Sequence, residues 1–358
     1  MKINKAVVSH KPVSHGGPYS IKKPPSDLLD FSSNISPLSA PPMVRRFLKR
    51  KLDSISEYPD SASINLRRAL KWYTKVPSDQ IVIGNGATEI IYNFCQAFLN
   101  KKTSVLIPIP TFGEYEAAAK LAGSKILFFK TMNLANDLDD FIQKIPKNGC
   151  VFVCNPNNPT GELLSKGKLL KIIQTSKKKS TIVFVDESFI ELVPDSNESI
   201  IKQVKKFPNL FILRSMTKSF GLAGIRIGYG IASKSIIFTL NKLKIPWNVS
   251  GLAQYAGGAA LCSTSYLDKT KKIIKKESQY LKNSIAKIDG FECHNAAANF
   301  ILIKTKQKSK IIQKKLLKKK ILIRDASTFR GLNNNYIRIA VKTRKENQKL
   351  VKALMNLK

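Results

Sequence analysis

Lys218 stands apart from the many other lysines of this chain by its company. It sits in Ser215-Met-Thr-Lys218-Ser-Phe-Gly221-Leu-Ala-Gly224-Ile-Arg226-Ile-Gly228, among small residues and glycines and between two apolar runs. A lysine amine attacks a carbonyl and forms a Schiff base when an enclosed, tuned pocket weakens its hold on a proton. The glycines let backbone approach a bulky planar ligand. Ser215 and Arg226 supply a hydroxyl and a guanidinium, the groups that hold a phosphate.

Four further segments carry groups of matching chemistry. Gly84-Asn-Gly86-Ala87-Thr88-Glu89 lies between a strand and an apolar helical run, where free N–H groups and the helix dipole favour an anion. Pro110-Thr-Phe112-Gly-Glu-Tyr offers an aromatic face. Asn155-Pro-Asn157-Asn158-Pro-Thr-Gly161 and Asp186-Glu-Ser-Phe189 each follow an apolar run and place an amide and a carboxylate at its end. Taken singly, an ordinary strand-to-helix turn accounts for the first and a core Phe for the second, whereas a Pro/Asn-rich turn explains the composition of the third but not its place after a strand.

The elements that must position these groups follow from the hydrophobic pattern. Between about 80 and 245 short apolar runs alternate with helical segments, which predicts an α/β domain with a largely parallel sheet. Expected strands are 104–108, 125–129, 150–154, 181–185, 210–213 and 225–231. Several are near-continuous Val, Ile, Leu and Phe, as strands covered on both faces should be. Their ends lead into the polar segments above, where open α/β sheets place ligands. From about 265 a long lysine-rich amphipathic helix precedes short strands at 300–303, 321–324 and 336–341, the pattern of a smaller α+β domain. The expected division is an arm and part of the small domain over 1–60, a large α/β domain over 61–250 and a small domain over 251–358.

In this order the segments resemble those of class I/II pyridoxal-phosphate aminotransferases and their fold-type I relatives, from His15 to about Thr343. The resemblance implies a fold type I chain with pyridoxal 5'-phosphate bound to Lys218 as an internal Schiff base. It assigns Gly86, Ala87, Thr88, Ser215 and Arg226 to the cofactor phosphate, Phe112 to the ring face, Asn158 to the phenolic oxygen and Asp186 to the ring nitrogen. Tyr58, in Tyr58-Pro-Asp60, matches a tyrosine that reaches the phosphate of a neighbouring subunit, which implies a homodimer with shared sites. Arg338, in Ile337-Arg-Ile-Ala-Val, matches the substrate-carboxylate arginine.

Two branches of the family handle small phosphorylated substrates, one transaminating histidinol phosphate and one decarboxylating L-threonine O-3-phosphate for cobalamin biosynthesis. His15-Gly16-Gly17, Asp30-Phe-Ser-Ser-Asn34-Ile-Ser-Pro-Leu38, Gly-Ala-Thr-Glu89 and the run to Glu116 resemble the decarboxylases. So does Ile323-Arg324-Asp-Ala-Ser327-Thr-Phe-Arg330, and Phe189 stands where the aminotransferases generally have tyrosine. This implies His15, Asn34, Asn158, Arg324 and Arg338 as substrate contacts and (R)-1-aminopropan-2-yl phosphate as product. Ser36 departs from the asparagine common before that proline.

The charge raises a competing class. Lys and Arg number 61 against 24 Asp and Glu, a net charge of +37, which suits a polyanion partner. The basic residues instead fall as short runs inside helical segments, such as Lys318 to Lys320, without a basic tail or interleaved aromatics. That is a solvated lysine-rich surface, and specific nucleic-acid binding is not expected. Five cysteines without paired spacing imply reduced thiols and no metal site. No apolar run approaches the ~18 residues of a membrane span, and Met-Lys-Ile-Asn-Lys lacks a signal-peptide core. A cytoplasmic enzyme is expected.

Overall fold

The computed structural model describes residues 5–357. Seven strands form the large sheet in the spatial order Ile81–Gly84, Gly228–Ile231, Leu210–Ser215, Ile182–Asp186, Cys150–Cys154, Ser104–Ile109, Lys125–Lys130. All neighbours pair in parallel except Gly228–Ile231, which is antiparallel to both of its partners. The chain thus has the α/β architecture of fold type I enzymes that the sequence leads one to expect.

Side-chain alternation divides the strands between two layers. Val151, Val153, Val183, Val185 and Ile212 enter one hydrophobic cluster, while Phe152, Phe184, Phe211 and Leu213 enter the other. On the second face Phe94, from helix Gly86–Phe98, meets Phe152, Phe184 and Phe211 at ring-centroid distances of 6.2, 4.8 and 5.1 Å. These contacts fix the helix axis relative to the sheet, so its first turn lies over the strand ends. Removing one such ring costs about 3–5 kcal/mol.

The expected strand 225–231 begins only at Gly228, because Arg226 takes a left-handed backbone, φ +59°. Likewise 321–324 splits. Ile321–Leu322 pairs in parallel with Leu29–Asp30, whereas Arg324–Asp325 joins the small antiparallel sheet beside Tyr336–Ala340, Phe300–Thr305 and Phe291–Cys293.

The N-terminal arm is shared between bodies. Phe31 is fully buried in the core of the small sheet with Ile301, Ile323 and Ile339. Val44, from helix Pro42–Lys49, instead joins the cluster that holds Leu66, Ala253 and Ala256. Helix Gly251–Leu261 therefore lies against the large sheet's helices, and its small residues permit the close approach. Helix Arg344–Met355 is started by a capping box between Thr343 and Glu346. Among the described residues no helix is long and apolar enough to cross a membrane.

Candidate active site

A cavity of about 1390 Å³ opens at the C-terminal ends of the parallel strands, room for a cofactor and a small substrate together. Its wall includes Lys218, Asp186, Asn158, Phe112, Phe189, Ala87, Thr88, Ser215 and Arg226. His15, Asn34, Arg324 and Arg338 line it as well. These residues come from both sheets and from the arm.

Each end of the cavity has its own chemistry. Gly86 opens helix Gly86–Phe98 at φ +77°, and a Cβ there would collide with the Arg226 guanidinium. Only glycine lets the arginine lie across the helix N-terminus. Gly228 similarly presses against the Ala87 backbone nitrogen. A guanidinium, two hydroxyls at Thr88 and Ser215, and free helix N–H groups make a cradle for a dianion.

Lys218 follows in the short helix Met216–Ser219, half-buried with its ammonium 5.9 Å from the Phe189 ring centroid. Burial, with Arg338 and Arg226 nearby, pushes its amine down to about 8, so the neutral nucleophile is populated near neutrality. Asp186 ends its strand in burial and accepts from Ser188 N at 2.8 Å and Tyr115 Oη at 2.6 Å. Burial raises its carboxyl while these donors oppose the shift. A planar, phosphorylated, carbonyl-bearing ligand with a basic ring nitrogen is complementary to this set.

The opposite wall is cationic. Arg338 donates to Asn158 Oδ1 and, at 2.7 Å, to Ser32 O. Arg324 donates to Ser14 O at 2.5 Å and Thr328 Oγ1 at 2.9 Å. Both are buried, and neither forms a salt bridge among the described residues. Burial, followed by the neighbouring Arg324, pulls the Arg338 guanidinium well below its usual range. The Arg338 Nε and Asn34 Oδ1 atoms are buried without hydrogen-bond partners among the described residues. Such groups are costly until an anion or a polar ligand meets them.

His15 bonds Glu114 Oε1 at 2.7 Å, and Tyr92 donates to Glu114 Oε2 at 2.6 Å. Phe189 is buried and packs edge-on against Phe300. Gly86 lies behind Arg226 rather than in the wall, and Tyr58 lies outside this chain's cavity. Tyr58 is 82% exposed and stacks on Trp247 with centroids 4.6 Å apart.

Sequence reasoning missed the supports. Beneath the lysine helix, Arg214 pairs with Glu187 at 2.7 Å and Glu191 at 3.1 Å, and Glu191 also accepts from Tyr73 and Ser219. Arg214 directly precedes Ser215, and Glu187 directly follows Asp186. Strand alternation therefore turns this buried pair to the opposite side from the cavity groups. Glu114 and Tyr115 likewise lay inside a segment read for Phe112 and for its family resemblance, with no role given to either residue.

The family model described as Aminotransferase class I and II matches residues 26–354. A "Putative threonine-phosphate decarboxylase" of Caldanaerobacter subterraneus subsp. tengcongensis is 38% identical over 97% of this chain and 94% of its own length. A histidinol-phosphate aminotransferase of Ruminiclostridium cellulolyticum is 32% identical over 94% of each chain. Among solved structures, the histidinol-phosphate aminotransferase of Clostridium acetobutylicum superposes with a TM-score of 0.85 at 34% identity, covering 92% of this chain and 99% of that one.

Proposed function

This chain belongs to the class I and II aminotransferase family, and from that premise we propose that it decarboxylates L-threonine O-3-phosphate to (R)-1-aminopropan-2-yl phosphate, a cobalamin precursor. It is a pyridoxal-phosphate-dependent enzyme. The cavity fits that cofactor in three places: the Gly86–Arg226 cradle suits its phosphate, the lowered amine of Lys218 its aldehyde, and the buried Asp186 carboxylate its ring nitrogen. In this reading Ala87, Thr88 and Ser215 complete the phosphate site, Phe112 covers the ring and Asn158 faces its phenolic oxygen. Bound pyridoxal phosphate supplies an electron sink conjugated to the substrate's Cα.

One observation carries the choice of substrate: Arg324 and Arg338 are two buried guanidiniums on one wall, neither with a salt bridge among the described residues. A phosphorylated amino acid brings two anionic groups to that wall, whereas histidinol phosphate brings one. Arg324 and His15 hold the phosphate, and Arg338 with Asn158 holds the remainder of the molecule. Held at both ends, the substrate would have its Cα–carboxylate bond placed to break, the carboxylate leaving as carbon dioxide and the bonding pair passing to the electron sink that the cofactor would supply. Lys218 Nζ then delivers a proton to Cα. Phe189 contributes no hydroxyl near the ring, consistent with a site that differs from an aminotransferase.

The enzyme is proposed to work in the cytoplasm as a homodimer, with the exposed Tyr58 reaching the cofactor phosphate of the second subunit. The deciding assay supplies L-threonine O-3-phosphate and no 2-oxo acid. Carbon dioxide and amine are the expected products. Turnover that requires a 2-oxo acid and consumes histidinol phosphate would instead establish the transaminating alternative.

A further inference from the structure

Tyr115 joins two groups that the cofactor would meet on different sides. Its hydroxyl donates to Asp186 Oδ2 at 2.6 Å. Its ring meets Phe112 edge-on, with centroids 5.6 Å apart at 80°, and stacks on Phe152 at 5.1 Å and 15°. The side chain is 1% exposed, so neither ring nor hydroxyl has water as an alternative partner.

We propose that Tyr115 is a positioning residue that sets the charge of Asp186, its hydroxyl keeping the carboxylate ionised so that the carboxylate retains a proton on the cofactor's ring nitrogen. This rests on the reading that Asp186 faces that nitrogen. The geometry divides the carboxylate's work: Ser188 N occupies Oδ1 and Tyr115 Oη occupies Oδ2, and each oxygen keeps a further lone pair for the ring N–H. Burial favours the neutral acid and raises the carboxyl, and the two donors oppose that shift. Burial also holds the Tyr115 phenol far above its usual range, so it remains a donor at every working pH.

The other groups facing Asp186 do not replace this bond. Cys154, at the end of the neighbouring strand, directs its thiol to Pro156 O at 3.3 Å, and burial keeps it protonated. Glu187, the residue after that strand, is an acceptor turned away to pair with Arg214. Lys218 approaches from the lysine helix, and once bound to the cofactor its nitrogen still titrates, carrying charge only below its own midpoint. Without the phenol, the ring proton shifts toward Asp186 and the ring loses positive charge. The nitrogen joining Lys218 to the cofactor then becomes more basic.

The test is a pH titration of the visible band of the resting holoenzyme, without substrate. Tyr115→Phe should raise the midpoint by about one pH unit, the scale of one charge-assisted hydrogen bond. 3-Fluorotyrosine at position 115, a stronger donor of nearly the same shape, should lower it. Opposite signs are a signature that altered packing does not produce, and the fluorinated protein keeps the test open if Tyr115→Phe does not fold. In an Asp186→Asn background Tyr115→Phe should add no shift.

An unchanged midpoint in both variants, or the same shift in the Asp186→Asn background, would overturn the proposal. If Asp186→Asn alone leaves the midpoint in place, the ring-nitrogen reading of Asp186 falls first. A folded Tyr115→Phe protein that forms no visible band at any pH also overturns it, because the hydroxyl would then serve to hold the pocket together.

Discussion

Arg324 and Arg338 are direct cross-strand partners in the small antiparallel sheet. Like charges in that position destabilise a strand pair, and here both are buried. The arrangement therefore lowers stability in the free enzyme and becomes favourable when anions arrive. The phosphate half of the proposed substrate is the simplest such anion.

With cofactor bound, inorganic phosphate should stabilise the protein, by roughly 1.4 kcal/mol at ten times its dissociation constant. Arg324→Met should abolish this gain in thermal melts. In the absence of phosphate the same variant should melt no lower than wild type, and up to ~1 kcal/mol of repulsion is relieved. A variant that loses stability without phosphate yet still responds to it would contradict the assignment.

Lys218 sets a second expectation. Raising the pH deprotonates the attacking amine, so cofactor capture should accelerate with a midpoint about 8 rather than near the ~10.4 of a free lysine. Stopped-flow absorbance between pH 6 and 10 measures it, provided the solution aldehyde's own amine reactions are subtracted. Lys218→Ala should show no covalent capture at any pH.

Gly86→Ala tests the cradle. The left-handed backbone and the Arg226 guanidinium both oppose a Cβ, at a cost of about 1–3 kcal/mol. Displacing the arginine should weaken cofactor affinity at least ~10-fold, which is about 1.4 kcal/mol. Equilibrium dialysis that finds native affinity would show that Arg226 does not depend on this contact.

Arg214→Ala leaves Glu187 buried without its partner, and Glu187 is wholly inaccessible. Urea unfolding should register a loss of about 3–5 kcal/mol. Replacing Arg214, Glu187 and Glu191 together by Met, Leu and Gln should recover much of that loss, since Arg214 pairs with both carboxylates and all three charges are then removed from the interior.

Subunit mixing tests the placement of Tyr58. Tyr58→Phe and Lys218→Ala proteins should each be impaired, the first in cofactor affinity and the second in capture. Co-refolded, they should regain high-affinity capture at one site per dimer, because one cavity then holds Lys218 from one chain and Tyr58 from the other. Absence of any recovery in isolated heterodimers would place Tyr58 outside the cofactor site.

The sequence by itself determined the alternation of apolar runs and helices, the glycines around Lys218 and the polar groups at the strand ends. Those features are local: a left-handed Gly86 and a strand of uninterrupted apolar residues are written within a few neighbouring positions. The family resemblance added roles to them. It did not reveal Tyr115 against Asp186, 71 residues apart, or His15 against Glu114, 99 apart. Nor did the pattern around 225 disclose that Arg226 would break the strand and swing onto Gly86. Such contacts depend on the spatial order of the strands and on where the arm crosses between two cores. Loop closure over those distances carries no local signal; only the packed tertiary structure decides which buried donor meets which buried acceptor.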